Sequence, residues 1–393
     1  MLSVALAGKP NAGKSTFYKA ATMADVDIGN YPFTTIDPNR GVTHVRTDCP
    51  CLDREQRCGN ENCRAGKRYV PVELLDVAGL VPGAHEGKGL GNQFLTDLNE
   101  ADVLVHVVDF TGETDLEGEP TEDHDPRADI DFLEGELDMW YLDILEKGIE
   151  RYRSGYHGNE KAIEEDLAEQ MSAFDISAEE IKQVVLALDL ELDPDTWSDA
   201  DRETLAREIR IRTKPMLIAA NKMDTPEAQA NWKTVTTDDE YDHLTFVPTS
   251  AHAEKALKNA DEGGVVEYTP GDDEFDIVGD LSEQQEQGLD AIAGFVSEYG
   301  GTGVQRAIER ALFDVLGVIP VFPGSANGKS EEAGAFRDCF LLPDGSTTAD
   351  FAHHIHSDIG DGLLHGIDCR TERQGGGSHV LDERDVIELI TTA

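Results

Sequence analysis

Short apolar runs recur along the chain, and each one leads into a polar or glycine-rich segment. The runs cover residues 2–7, 72–75, 103–108 and 216–220. The run 103–108 is apolar at almost every position and suits a strand at the centre of a parallel sheet. A second pattern covers 130–210, where apolar residues such as Phe132, Leu133 and Leu137 recur at helical spacing among charged residues. The pattern predicts a doubly wound α/β domain that is interrupted by a helical segment.

The first apolar run leads directly into a phosphate-binding loop, GKPNAGKS, at residues 8–15. Gly8 and Gly13 let backbone N–H groups curl around an anion, Lys14 adds positive charge for the outer phosphates, and the Ser15 hydroxyl can ligate Mg²⁺. The following helix would present its positive N-terminus to the same phosphates. The loop predicts a nucleoside triphosphate site formed by Asn11, Ala12, Gly13, Lys14, Ser15 and Thr16.

Two later segments carry residues that a triphosphate-dependent switch requires. Thr35, or its neighbour Thr34, lies about twenty residues after the loop and can close over Mg²⁺ and the γ-phosphate. The spacing D-x-x-G in 76–79 lets Asp76 hold the water shell of Mg²⁺ while the Gly79 N–H reaches the γ-phosphate. We therefore assign Mg²⁺ to Ser15, Thr35 and Asp76.

Base recognition is predicted at the end of the run 216–220. There Asn221, Lys222 and Asp224 form an N-K-x-D element. The Asp224 carboxylate can accept from the two donors on the Watson–Crick edge of guanine, and adenine offers no such pair. Lys222 would pack along the base, and Asn221 would brace the loop. A backbone N–H in the segment formed by Ser250 and Ala251 would donate to the guanine carbonyl. The substrate is therefore predicted to be GTP.

Two long strings, NYPFTTIDPN at 30–39 and DVAGLVPGAHEGKGLG at 76–91, resemble the Obg-related, YchF-type (Obg-like ATPase) branch of translation-factor GTPases. The resemblance implies a P-loop GTPase domain, a helical coiled-coil-like insertion and a C-terminal ubiquitin-like β-grasp (TGS) domain. It also implies association with the ribosome or another translation component. The predicted boundaries are 1–127 and 213–315 for the GTPase domain, 128–212 for the insertion and 317–393 for the TGS domain.

Asp224 departs from the family pattern, and the choice between GTP and ATP therefore needs a test. Many YchF-type proteins have glutamate where Asp224 stands and prefer ATP, so a YchF-type ATPase is the alternative to a GTPase. The developmentally regulated GTPases also end in a TGS domain, but their insertion lies elsewhere. A nucleotide-stabilised scaffold or thiol stress sensor is a third alternative.

Catalysis is predicted to be slow. Ras-like enzymes place a glutamine after the D-x-x-G glycine to orient water, and here that residue is Leu80. His85 is a candidate to orient water instead, or a solvated loop residue. Asn11 resembles the K⁺ ligand of potassium-activated GTPases, where the cation neutralises transition-state charge. The alternative is that Asn11 only stabilises the turn of the loop.

Cys49, Cys51, Cys58 and Cys63 form a C-x-C-x6-C-x4-C cluster. Four thiols can hold tetrahedral Zn²⁺, and the alternatives are a redox-responsive thiol group or four unconnected thiols. The remaining two cysteines, at 339 and 369, lie far along the chain and are interpreted as small buried apolar residues.

Composition narrows the setting of the protein. The 79 acidic and 33 basic residues give a net charge of −46 over 393 residues, which indicates a surface adapted to the salt-rich cytoplasm of a halophile. No broad basic patch is visible, so direct DNA binding is not expected. The chain shows neither a signal peptide nor a long apolar run, and we expect a cytoplasmic protein with no membrane partner.

Overall fold

The computed structural model of the protein describes residues 1–22, 39–53, 58–77, 98–154, 162–324 and 338–392. The chain folds into two compact units. The terminal unit, named for its two chain ends, comprises Met1–Leu2, Ala24–Glu73 and Ile308–Ala393. The central unit comprises Ser3–Met23 and Leu74–Ala307.

The described residues form strands and α-helices, with four consecutive helices over residues 126–213. The strands are β1 (Ser3–Ala7), β2 (Arg40–Asp48), β3 (Cys63–Arg64), β4 (Lys67–Asp76), β5 (Val103–Asp109), β6 (Met216–Asn221), β7 (Thr245–Pro248), β8 (Val266–Glu267), β9 (Asp276–Ile277), β10 (Val318–Pro323), β11 (Phe340–Pro343), β12 (Leu363–Asp368), β13 (Arg373–Gly375) and β14 (Val386–Thr391). The α-helices are α1 (Lys14–Thr22), α2 (Pro126–Arg153), α3 (Ile163–Gln170), α4 (Ala178–Ala187), α5 (Asp199–Thr213), α6 (Pro226–Val235), α7 (Ala251–Glu262), α8 (Glu283–Tyr299), α9 (Val304–Arg310), α10 (Thr348–Ile355) and α11 (Ser357–Asp361).

The central unit is built on parallel strands in the order β1, β5, β6, β7. Successive residues of these strands point to opposite faces. Leu104 and Ile218 lie in the main apolar core, and their neighbours Val105 and Leu217 are equally inaccessible to solvent. Both faces of the sheet are therefore covered, which confirms the predicted buried parallel sheet. The loops that follow β1, β5, β6 and β7 meet at one edge.

The helical insertion has an apolar core of its own. Helix α2 begins at the N-cap Asp125, which accepts the Arg127 N–H, and Pro126 occupies its first turn. Its first half packs on β5, and its second half is covered by α3 and α5. Helices α4 and α5 each begin with a capping box, at Ser177 and Ser198 respectively. Side chains from all four helices meet in the core, among them Tyr141, Leu167, Val184 and Ile209.

The terminal unit contains a mixed five-stranded sheet in the order β11-β10-β14-β12-β13. Strands β10 and β14 are parallel, and the other neighbours are antiparallel. Helix α10 starts at a capping box on Thr347 and buries Phe351 against Val321, Leu342 and Ile387. A helix on a mixed sheet of this kind agrees with the predicted β-grasp fold.

The same unit holds β2, which lies beside β4, and the hairpin of β3 and β4. Within the described ranges, no helix is both long and apolar enough to cross a membrane. The predicted domain boundaries at 127, 212 and 315 stay predictions.

Candidate functional site

The loop between β1 and α1 depends on two glycines. Gly8 and Gly13 have φ angles of 141° and 101°, which L side chains rarely adopt. A Cβ on Gly8 would lie 2.4 Å from the Val107 carbonyl oxygen, and one on Gly13 would lie 2.2 Å from Asn221 Nδ2. The predicted phosphate loop therefore passes too close to β5 and β6 for any other residue at these positions.

Lys14 is buried at the start of α1, with 8% of its surface exposed. Its Nζ donates to the carbonyl oxygens of Gly8 and Lys9, each at 2.9 Å. Burial lowers the pKa of Lys14 to about 8, and the charge of Asp76 opposes this shift. A buried ammonium whose hydrogen-bond acceptors are neutral carbonyls is stabilised further by an incoming anion. Lys14 is therefore suited to a phosphate oxygen.

Ser15 and Asp76 meet at the end of β4. The Val77 N–H donates to the Leu6 carbonyl at 3.3 Å, and the Ser15 hydroxyl donates to Asp76 Oδ2 at 3.2 Å. Burial raises the pKa of Asp76, although the Ser15 hydrogen bond and the Lys14 charge oppose the shift. A hydroxyl and a carboxylate are oxygen ligands of the kind that Mg²⁺ prefers. The pair therefore fits a Mg²⁺ ion at the predicted position.

Asn221, the last residue of β6, joins two of the predicted motifs. Its Nδ2 donates to the Ala12 carbonyl at 2.9 Å, and its Oδ1 accepts the Ala251 N–H at 3.1 Å. The side chain is buried. One amide therefore ties the phosphate loop to the start of α7.

The segment before α7 is buried and fully hydrogen-bonded. Ser250 is the N-cap of α7, and its hydroxyl accepts the Ala253 N–H at 3.0 Å. The backbone N–H of Ser250 donates to Thr302 O at 2.8 Å, and that of Ala251 donates to Asn221. Recognition of a guanine carbonyl by Ala251 therefore requires its N–H to share or exchange the Asn221 oxygen.

Lys222 is held by a carboxylate on the neighbouring strand. Its φ is 65°, and its Nζ lies 2.7 Å from Asp109 Oδ2. Asp109 is inaccessible to solvent and also accepts the Thr111 and Thr114 hydroxyls at 2.7 and 2.9 Å. Burial raises the pKa of Asp109, but the hydrogen bonds from Lys222 and Thr111 outweigh burial, so the net pKa is lowered. The ion pair fixes the direction of the Lys222 stem.

Asp224 is exposed beyond the end of β6. Helix α6 begins immediately afterwards, because the Thr225 hydroxyl accepts the Ala228 N–H at 3.3 Å and Pro226 occupies the first turn. Among the described residues, no hydrogen bond or ion pair engages the Asp224 carboxylate. It is therefore free to accept from a ligand at the edge of the sheet.

The phosphate loop is also tied to the start of the helical insertion. Lys9 and Asp129 form a buried ion pair at 2.9 Å, with 1% of each side chain exposed. Lys9 donates in addition to the Thr114 carbonyl at 2.6 Å, and His124 Nε2 lies 2.8 Å from the other Asp129 oxygen. Burial raises the pKa of Asp129, and the charge of Lys9 opposes the shift. The pair links the loop to the first turn of α2.

Asn11 contacts the segment between β5 and α2, which also contains Thr114 and His124. It has a φ of 62°, and its Nδ2 donates to the Gly118 carbonyl at 2.9 Å. A Cβ on Gly118 would lie 2.8 Å from Pro10. This contact favours the predicted turn-stabilising role of Asn11, and it leaves the predicted role of its side-chain oxygen toward K⁺ as a hypothesis.

The cysteine cluster lies in the terminal unit. The sulfurs of Cys49, Cys51, Cys58 and Cys63 are all within 4.8 Å of one another. The interpretation of the other two cysteines needs correction: they are only half-buried, and both pack with Cys58 around Phe322 and Val386. Because Cys339 and Cys369 lie far from Cys58 in the sequence, this proximity could not be expected.

Several predicted residues lie outside the described residues. They are Thr34, Thr35, Gly79, Leu80 and His85. Their predicted roles in switching and catalysis stay predictions.

The sequence interpretation missed three residues that support the loops. Asp109 pairs with the predicted Lys222, and Lys9 pairs with Asp129. Asp109 had a usable signal, because an acidic residue directly after a buried parallel strand lies at the edge where ligands bind. Lys9 and Asp129 lie 120 positions apart in sequence, and nothing local indicates that they pair.

The sequence matches three known domain families. Residues 3–134 match the 50S ribosome-binding GTPase family. Residues 219–325 match the G4 motif-containing domain of the Obg-like GTPase YGR210-like proteins, and residues 327–391 match the TGS domain. The matches follow one another in the order predicted for the chain.

Two similar proteins match this chain over its full length, and a third matches part of it. A GTP-binding protein of Methanocaldococcus jannaschii is 40% identical over 397 residues, which covers 100% of both chains. The crystal structure of a GTP binding protein from Pyrococcus horikoshii OT3 is 35% identical, with a TM-score of 0.79 and 100% of both chains covered. The ribosome-binding ATPase YchF of Escherichia coli O157:H7 is 36% identical over 189 residues, 44% of this chain and 50% of that protein. The chain belongs to the YchF-type, Obg-like GTP-binding proteins that end in a TGS domain.

Proposed function

We propose that the protein binds GTP with Mg²⁺, hydrolyses it slowly to GDP and phosphate, and acts as a switch on the ribosome in the cytoplasm. The observation that carries the proposal is the meeting of the phosphate loop, Asp76, Asn221 and Asp224 at one edge of a parallel sheet. The proposed ribosome binding is supported by relatives whose names state that they bind the ribosome.

Guanine is selected by Asp224 in this proposal. Its exposed carboxylate stands beyond Asn221, whose amide is engaged by the Ala12 carbonyl and the Ala251 N–H. A carboxylate that pairs with two donors of guanine is left unpaired by adenine, and this loss favours guanine. Lys222 is kept beside the base by Asp109.

The phosphate end uses the residues of α1 and β4. Lys14 exchanges its two carbonyl acceptors for phosphate oxygens, and the N-terminus of α1 faces the same charge. Ser15 and Asp76, together with Thr35, would hold Mg²⁺, which when bound would supply positive charge to the phosphates. Gly79 contributes its N–H to the γ-phosphate.

Turnover is slow because Leu80 has no group that can orient water. His85 is the proposed substitute within the chain. Asn11 is proposed to direct its amide oxygen to K⁺, while its Nδ2 keeps the bond to Gly118. Equal hydrolysis in KCl and NaCl at matched ionic strength would contradict the potassium site.

The second candidate is an ATPase, since alignments with relatives that are named ribosome-binding ATPases cover 42–56% of this chain. Titration with GTP and ATP in Mg²⁺ and KCl separates the two. We expect tighter binding of GTP, a loss of this preference in Asp224→Asn and a partial shift toward ATP in Asp224→Glu. Tighter binding of ATP by the unaltered protein would overturn the assignment.

The switch is tested by co-sedimentation with ribosomes in the presence of GDP or a non-hydrolysable GTP analogue, with salt kept high. We expect nucleotide-dependent binding. The same experiment with Lys14→Ala should lose the difference between the two nucleotides. Equal binding in all cases would remove the switch from the proposal but leave nucleotide binding intact.

A further inference from the structure

The four clustered cysteines come from one short stretch of sequence, residues 49–63. A 3-10 turn over Pro50–Asp53 follows Cys49, whose carbonyl accepts the Leu52 N–H at 2.9 Å. The β3–β4 hairpin turns at Ala65 and Gly66, with φ of 47° and 90°. Two positive φ angles in a two-residue loop are typical of the type I′ turn. The hairpin is tied to Cys49, because the Cys49 N–H donates to the Gly66 carbonyl at 2.8 Å.

The spacing of the sulfurs fits one tetrahedral ion. Cys49 and Cys58 are 3.8 Å apart between sulfurs, and Cys51 and Cys63 are 3.7 Å apart. Zinc–sulfur bonds of about 2.3 Å in a regular tetrahedron give sulfur–sulfur edges of about 3.8 Å. The upper bound of 4.8 Å over all pairs leaves space for a single ion and none for a cluster of several irons.

A buried arginine stands against these sulfurs. Arg68 is 1% exposed and lies opposite Cys63 in the hairpin register. Its Nη2 donates to Cys49 Sγ at 3.6 Å and to Cys58 Sγ at 3.9 Å. A zinc ion with four thiolates carries a charge of −2, and a guanidinium at this position offsets part of it through N–H···S bonds.

Arg68 also reaches the C-terminal sheet. Its guanidinium lies 5.5 Å from the centroid of the Phe322 ring on β10, in the geometry of a cation–π contact. Cys58 packs with Phe322 and Val386, which come from β10 and β14. The ligand segment is thus in apolar contact with two strands of the β-grasp sheet.

Charged contacts surround this apolar contact. The Arg384 Nε donates to the Asp48 carbonyl at 3.1 Å. Asp53 accepts Arg370 and Arg384 at 3.4 and 3.6 Å. These exposed pairs contribute little individually. The buried contact of Arg68 and Phe322 is therefore the stronger link between the cysteine segment and the C-terminal sheet.

We propose that Cys49, Cys51, Cys58 and Cys63 bind one Zn²⁺ as four thiolates, and that this zinc site holds the cysteine segment against the β-grasp sheet through Arg68 and Phe322. On binding, each of the four thiols releases one proton to solvent, four sulfur–zinc bonds form, and no atom changes oxidation state. The proposed zinc site lies in the terminal unit and does not depend on which nucleotide is bound.

Metal content is the first test. The full chain, purified in high salt without chelator or metal-affinity tag, should contain one Zn²⁺ by mass spectrometry of the metal. Replacement by Co²⁺ should give the visible absorption of tetrahedral thiolate coordination. Cys51→Ser should abolish the tightly bound metal, and Cys339→Ala should keep it. Iron in place of zinc, no metal, or two disulfides among the four cysteines would overturn the site.

The role of Arg68 is tested by competition for zinc with a chromophoric chelator. Arg68→Met should weaken zinc binding by roughly 10–100-fold, the range for residues that support metal ligands, and Arg68→Lys should restore part of it. Arg64→Met is the matched control, since Arg64 is exposed on the same hairpin. Unchanged zinc affinity in Arg68→Met would exclude the electrostatic role.

The link to the β-grasp sheet has its own measurement. The Phe322 N–H donates to Asp385 O and the Cys369 N–H donates to Val386 O, both at 2.8 Å. Removal of zinc should speed hydrogen exchange at these two amides by at least about tenfold, because the local opening free energy falls. The Phe351 N–H in α10 serves as the internal reference. Equal exchange with and without zinc would overturn the link even if the metal is present.

Discussion

The nucleotide loops and the cysteine site differ in which of their atoms are buried. In the loops, the supporting side chains Asn221, Asp109 and Lys9 are buried, while Ser15 and Asp224, which would face a ligand, are exposed. At the cysteine site, the ligand atoms themselves contact one another and face the buried Arg68. The first arrangement suits a ligand that enters and leaves. The second suits an ion that stays.

The largest effect is expected where the supports of the phosphate loop are broken. Asp129→Leu leaves the Lys9 charge buried without its carboxylate, and removal of one partner of such a pair costs about 3–5 kcal/mol. We expect this loss in the free energy of unfolding of the central unit, measured by urea denaturation in high salt.

A surface pair provides the control. Arg153 and Asp195 are 2.8 Å apart and exposed, so Asp195→Leu should cost about 1 kcal/mol or less. The double variant Lys9→Met/Asp129→Leu should recover most of the stability. Equal losses at the buried and the exposed pair would show that the loop does not depend on its buried support.

The next effect concerns the amide that joins two motifs. Asn221→Ala removes the bonds to Ala12 and Ala251 and should weaken GTP binding by roughly 30–100-fold, about 2–3 kcal/mol for two buried hydrogen bonds. Isothermal titration measures the change. Asn231→Ala is the matched control, because Asn231 also donates to a backbone carbonyl, that of Phe110, at 2.9 Å. A similar loss of affinity in both variants would contradict a specific bracing role.

A smaller effect is expected from pH. The pKa of Lys14 is about 8 without ligand, and bound phosphate should raise it. Below pH 8 the residue is protonated in both states, so GTP affinity should be constant. Above pH 8 the complex holds a proton that the free protein lacks, and affinity should fall by up to about tenfold per pH unit, or 1.4 kcal/mol.

Proton uptake, measured by calorimetry in two buffers of different ionisation enthalpy, checks this slope. In Lys14→Arg the guanidinium stays charged throughout, so the slope above pH 8 should disappear. Persistence of the slope in that variant would assign it to another group.

The smallest effect tests whether the two sites are independent. Removal of the proposed zinc should change GTP affinity by less than about threefold, below 0.7 kcal/mol, since the two sites belong to different compact units. Titration of chelated and zinc-loaded protein gives the comparison. A tenfold loss would mean that the metal site supports the nucleotide loops as well.

The sequence was sufficient to predict the sheet and the order of its loops. Each motif directly follows a buried strand, and parallel strands bring their carboxyl ends to one edge, so Ser15, Asp76 and Asn221 could be expected to meet. The helical insertion was visible because its apolar residues follow the helical period. Both predictions depend on local patterns.

The rest depends on contacts between residues far apart in the chain. Lys9 pairs with Asp129, and Cys58 lies with Cys339 and Cys369 although 281 and 311 positions separate them from it in the sequence. The periodic spacing of apolar residues does not indicate such a contact. The engaged N–H groups of Ser250 and Ala251 were also invisible, since the sequence does not show which acceptor a backbone donor finds.

The short span of the four clustered cysteines has a consequence for protein synthesis. All four ligands, from Cys49 to Cys63, leave the ribosome within fifteen residues of one another. Phe322 and Val386 follow roughly 300 residues later, which at ~5–20 residues per second is about 15–60 s. During this interval the nascent chain can capture its ion before the sheet that covers Cys58 has been made. The β-grasp sheet, which is synthesised later, then meets a surface that is already shaped to receive it.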